Sequence, residues 1–123
     1  MLKITKASGD GRWFAYQEGV EIKIRPLTGT ILRDLRKQAA VSRMELDPKT
    51  RRMIPVEDID EDKMESILAD YLIEDWKGIG DDEGNPMAVT QENKRLVLDQ
   101  PLIRDFVWGA AQSLDIIEER EKN

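Results

Sequence analysis

Met64, Ile67, Leu68, Tyr71, Leu72 and Trp76 recur at i, i+3, i+4, i+7, i+8 and i+12. That is the spacing of one face of an α-helix, and it constrains the chain more than any other feature, because an apolar face of this length must be buried against something. The acidic run Asp58 to Asp62 precedes the stripe, where carboxylates meet the positive end of a helix dipole, and Gly78 follows it as a stop. The pattern predicts a helix over about 60–77. Leu102, Ile103, Phe106, Val107, Ala110, Leu114 and Ile117 form a second long face, behind a first-turn Pro101 and ahead of a solvated EEREKN tail, and predict a helix over about 101–119. Between them Thr90 suits an N-cap for a short helix over about 91–99.

The N-terminal half reads differently. In RWFAYQEGVEIKIR, residues 12–25, Val20, Ile22 and Ile24 alternate with charged residues and Glu18-Gly19 supplies a reversal, so the segment predicts a β-hairpin. Pro26 ends the ladder and Thr28 can cap a helix over about 30–44, with Ile31, Leu32, Leu35 and Ala39 as its stripe. Pro48 and Pro55 forbid a continuous helix through 45–58, which leaves a loop or a short two-stranded excursion. At 123 residues these elements make one domain spanning 1–123. The expected class is α+β: about four helices with an N-terminal β-hairpin.

The chain has no cysteine and no histidine. Disulfides, thiol nucleophiles, Cys-based zinc sites and the commonest general base are excluded together. Asp70 and Glu74 stand at helical i, i+4 spacing, but like charges at that spacing are ordinary on an acidic helix face. No enzyme activity, cofactor or metal is expected. The net charge of −6 conceals a polarity, with +1 over residues 1–20, +5 over 21–55 and −12 over 56–123. The basic set Arg33, Arg36, Lys37, Arg43, Lys49, Arg51 and Arg52 could track phosphates, yet a polyanion would be repelled by the acidic half. The opening MLKITKASGD lacks the apolar core of a secretory signal, and no apolar run is long enough to cross a bilayer, so a cytoplasmic protein with no membrane partner is expected.

The segment DWKGIGDDEGNPMAVTQEN, residues 75–93, invites a calcium reading. With Gly84 at the sixth position of a calcium loop, the first position is Ile79 and the twelfth Thr90, so the opening carboxylate and the closing bidentate glutamate are both missing. A turn is the better reading, with Gly84 free to take positive φ and Asn85 held extended by Pro86.

From ILADYLIEDWKGI through DDEGNPMAVTQEN to LVLDQPLIRDFVWGAA, the chain resembles the tail assembly chaperones of long-tailed bacteriophages and prophages. The matching elements are the helix end at Trp76 and Gly78, the turn Gly84 to Pro86, the helix start Thr90 to Asn93, the short helix Leu96 to Leu98 closing near Pro101, and the last helix from Leu102. VEIKIRPLTG also looks like that family's entry strand and first helix start. The resemblance implies a non-enzymatic protein of the host bacterial cytoplasm, absent from the mature virion. Such a protein binds the tape measure protein and keeps it soluble until tail-tube subunits polymerise around it. The major tail protein and a frameshifted longer form of the chain itself are further implied partners. The competing readings are a small structural or connector protein of the phage and a nucleic-acid-binding regulator.

Client contact would fall on exposed apolar residues. Met53, Ile54 and Val56 sit in a proline-flanked segment with no core periodicity, beside Arg51 and Arg52, which can steer toward acidic client segments. Trp108 lies beside the stripe of the last helix. These six residues form the candidate partner-binding set.

Overall fold

The structure, a computed structural model, describes residues 10–121, with side chains through Ser113. Its elements run β1 (Arg12–Gln17), β2 (Val20–Ile24), α1 (Gly29–Gln38), β3 (Ala40–Leu46), β4 (Met53–Ile59), α2 (Glu61–Leu72), β5 (Ile73–Lys77), α3 (Gln91–Leu98) and α4 (Pro101–Glu121). This is a small α+β domain of four helices, with the expected N-terminal hairpin. β2 lies between β1 and β5 in an antiparallel sheet, while β3 and β4 form a separate two-stranded ribbon.

Local signals place the helix starts. The side chains of Thr28, Asp60 and Thr90 accept hydrogen bonds from the backbone N–H groups of Ile31, Lys63 and Asn93 at 3.1–3.2 Å, which satisfies donors that a helix leaves unpaired in its first turn. α2 has no basic residue in its last turn. Arg25, the residue after β2, supplies that charge, its guanidinium donating to the carbonyls of Tyr71 at 2.9 Å and Asp70 at 3.3 Å.

Two segments depart from the sequence-based expectation. The helix expected over 30–44 ends at Gln38, and residues 40–46 turn into β3; of the two alternatives for 45–58 the two-stranded excursion forms, with its partner β4 over Met53–Ile59. The helix expected over 60–77 ends at Leu72, where Ile73 takes extended geometry (φ −98°, ψ 111°) and opens β5. The reason lies in tertiary pairing: Trp76 faces Ile22 and Ile73 faces Ile24 across the sheet, with Glu74 as an extra residue in the β5 register. A β-bulge of this kind lets Ile73 and Trp76, three apart, turn to the same face. Both are buried. A run that imitates helical spacing is thus claimed by a strand encoded fifty residues earlier.

The core forms where the inner face of the sheet meets the helices. Ile22, Ile24, Leu72, Ile73, Leu98 and Val107 are almost wholly excluded from water. Phe106 of α4 meets Phe14 and Tyr16 of β1 edge to face, with ring centroids 6.5 and 5.1 Å apart. The two long helices do not lie directly along one another. α2 packs chiefly on α3, and α4 crosses the sheet. Leu102 leaves the expected stripe and is 75 % exposed, while Leu114 and Ile117 lie outside the described side chains.

Candidate functional site

The β3–β4 ribbon carries the largest concentration of exposed apolar side chains. It begins where α1 stops at Ala39, whose carbonyl accepts the Asp60 N–H at 3.0 Å, and it is anchored by Ile59 packed on the core. At the far end Asp47 builds the turn. Its carboxylate accepts from the Lys49 N–H and the Thr50 hydroxyl, both at 3.0 Å, and its carbonyl accepts from the Arg51 N–H at 2.7 Å. Arg51 takes φ +57°, a conformation usually left to glycine.

The register determines what each face presents, because directly opposite residues point the same way. Ser42 with Glu57, Met44 with Pro55 and Leu46 with Met53 share one face; Val41 with Asp58, Arg43 with Val56 and Glu45 with Ile54 share the other. On the first face Met44, Leu46 and Met53 are 56–57 % exposed and Pro55 stands beside them, an apolar patch at the outer half of the ribbon. The second face is charged: Arg43 pairs with Asp58 at 3.2 Å and Glu45 at 3.6 Å. The Ile59 N–H and then Arg43 bond the Asp58 carboxylate and hold its pKa below the ordinary value.

The candidate residues are therefore divided. Met53 belongs to the apolar face, Ile54 and Val56 to the charged one, and Arg51 and Arg52 to the exposed turn between the strands. Trp108 is half-buried against the core on α4, apart from the ribbon. Met44, Leu46 and Pro55 complete the patch and are not in the candidate set, because 30–44 reads as helix and the β3–β4 pairing that brings Leu46 and Pro55 to the face of Met53 is not visible in a loop reading of 45–58. The alternation of Met44 and Leu46 with Arg43 and Glu45 is the signal that identifies them.

The acidic turn is committed to its own backbone. One Asp81 carboxylate oxygen accepts from the N–H groups of Glu83 and Asn85, both at 2.9 Å, Gly84 takes φ +82°, and Gly80 bridges Pro86. The Trp76 indole N–H donates to the Met87 carbonyl at 3.0 Å and ties the returning chain to β5. Among the described residues no three His, Cys, Asp or Glu converge as a metal site, and no helix is long and apolar enough to cross a membrane.

A family model described as the YdaY prophage protein matches residues 15–123. The chain belongs to this family. Membership in the YdaY prophage protein family makes it a prophage-related protein, and the matched span takes in the whole ribbon, the acidic turn and α4. No curated protein and no solved structure matches the chain.

Proposed function

We propose that this prophage protein is a tail assembly chaperone that binds the tape measure protein without catalysis and holds it soluble while the tail tube assembles. The observation that carries the reading is the face of Met44, Leu46, Met53 and Pro55, which gathers four exposed apolar residues on one side of a two-stranded ribbon. A client with long amphipathic helices offers complementary apolar stripes, and the exposed cations Lys49, Arg51 and Arg52 at the tip steer acidic client segments toward the patch. Methionines suit such a task, because their unbranched side chains adapt to a varying stripe. The work belongs to the host bacterial cytoplasm before the virion is complete. The major tail protein and a frameshifted longer form remain secondary partners in this proposal.

Co-expression with the tape measure protein of the same prophage tests the reading. Wild type is expected to move the client from the insoluble to the soluble fraction. The combined variant Met44→Ser, Leu46→Ser, Met53→Ser is expected to fold, since its sites are exposed, and to lose the rescue. A client that stays insoluble beside folded wild type refutes the chaperone assignment, whereas equal rescue by the variant refutes only the placement on the ribbon.

A further inference from the structure

A second apolar surface is uncovered on the opposite charge background. Between the 79–87 turn and the α3–α4 corner lies a groove of about 490 Å³. Ile79, Met87 and Ile103 form its floor, Leu96 stands half exposed at its wall, and Asp81 and Asp82 lie along its rim. A cleft of this size takes two or three apolar side chains. The ribbon tip has the inverse composition, with Leu46 and Met53 beside Lys49, Arg51 and Arg52. Among the described residues none of these three cations forms an ion pair, and neither does Asp82.

We propose that the ribbon tip of one copy seats in this groove of a second copy, so that the chain associates head to tail. Apolar side chains from both surfaces leave water together, and the unpaired tip cations meet the unpaired rim carboxylate at contact distance. The contact uses two different patches, so an open assembly always keeps one tip and one groove free at its ends, and it grows into a short open chain or closes as a ring. The inference rests on the two surfaces alone and stands independently of the chaperone reading. A client would compete for the ribbon face, so the association is measured without one.

The test is sedimentation equilibrium or light scattering of the purified chain from micromolar to millimolar concentration. The mass is expected to rise with concentration from the 14.2 kDa monomer past the mass of two copies. Raising salt from about 0.15 M to about 0.5 M is expected to lower it, because the long-range repulsion between net-negative copies is already screened at the lower value and only the contact pairs are left to weaken. Arg51→Glu with Arg52→Glu inverts the ribbon charge, and Asp82→Lys inverts the unpaired rim charge of the groove. Each variant alone is expected to stay monomeric, and an equimolar mixture of the two to regain the wild-type mass, since each then offers what the other accepts. Circular dichroism first establishes that both fold. The exposed-site variant Leu46→Ser, Met53→Ser supplies a separate loss of association that involves no charge. Wild type that remains monomeric to millimolar concentration overturns the proposal. So does a mass that stops at two copies, association in the variants equal to wild type, or a mixture that stays monomeric.

Discussion

Arg104 of α4 and Glu65 of α2 face each other in a two-pronged ion pair, Nη1 to Oε2 and Nη2 to Oε1 both at 2.8 Å. The pair clamps two helices that share little direct packing. The Arg104 hydrogen bonds hold the Glu65 carboxyl below its ordinary 4.5, against an opposing effect of burial. Both side chains are about a third exposed, so water screens the attraction. A double-mutant cycle of Arg104→Gln and Glu65→Gln is expected to give a coupling of about 1 kcal/mol in chemical denaturation. Additive losses would show that the pair contributes nothing beyond its separate residues.

The same pair sets a pH dependence. Because the folded pKa of Glu65 lies below the unfolded one, its contribution is fully present above the unfolded value and is lost as pH falls through the folded value. Unfolding free energies measured from pH 6 downward should fall less steeply for Glu65→Gln than for wild type. Parallel curves would contradict the assignment.

Leu72 is wholly buried at the junction of α2 and β5. Leu72→Asp puts a carboxylate there with no partner and is expected to cost about 3–5 kcal/mol or to unfold the domain. Thermal unfolding like that of wild type would refute the packing described for this junction.

Gly78 and Gly84 both take φ +82°, yet they differ in surroundings. A Cβ on Gly78 would fall inside the van der Waals shell of the Gly19 carbonyl oxygen, whereas one on Gly84 meets open space. Gly84→Ala should cost about 1 kcal/mol, the strain of a left-handed alanine, and Gly78→Ala distinctly more. Equal melting temperatures for the two variants would argue against the close approach of the β1–β2 turn to the end of β5.

Millimolar calcium is expected to leave the melting temperature of wild type nearly unchanged, since Asp81 spends its carboxylate on the N–H groups of Glu83 and Asn85. A saturable upward shift, abolished by Asp81→Asn with Asp82→Asn, would reverse the reading of this segment as a turn.

What could be read from the sequence was local. Thr28, Thr90 and Pro101 mark helix starts through groups within three or four residues, and the β1–β2 hairpin needs only its own alternation and Gly19. β5 could not be read in this way, because its partner Ile22 is 54 positions from Trp76 and helical spacing persists through Leu72. For the candidate surface, the segment carrying Met53 was recognised as uncommitted to the core. Its sidedness was hidden, because placing Ile54 on one face and Met53 on the other requires the pairing with β3. Trp108 illustrates the opposite limit: its place beside a stripe leaves burial undecided, and the helix crossing over the sheet makes it half-buried.

Pro55 has a further effect on the ribbon's margins. The Asp60 N–H to Ala39 and the Asp47 N–H to Arg52 bonds at the two ends fix the phase of the ladder and put Pro55 and Met44 in a pair that exchanges no hydrogen bonds, with the proline nitrogen turned outward. The free border of β4 therefore lacks a donor at its midpoint, while β3 still turns the N–H groups of Ser42 and Met44 outward. Of the two borders, β3 offers an added strand the more complete row of donors. Pro55 thus makes β4 the poorer border for further pairing, and edge-to-edge stacking of ribbons meets a missing hydrogen on one side.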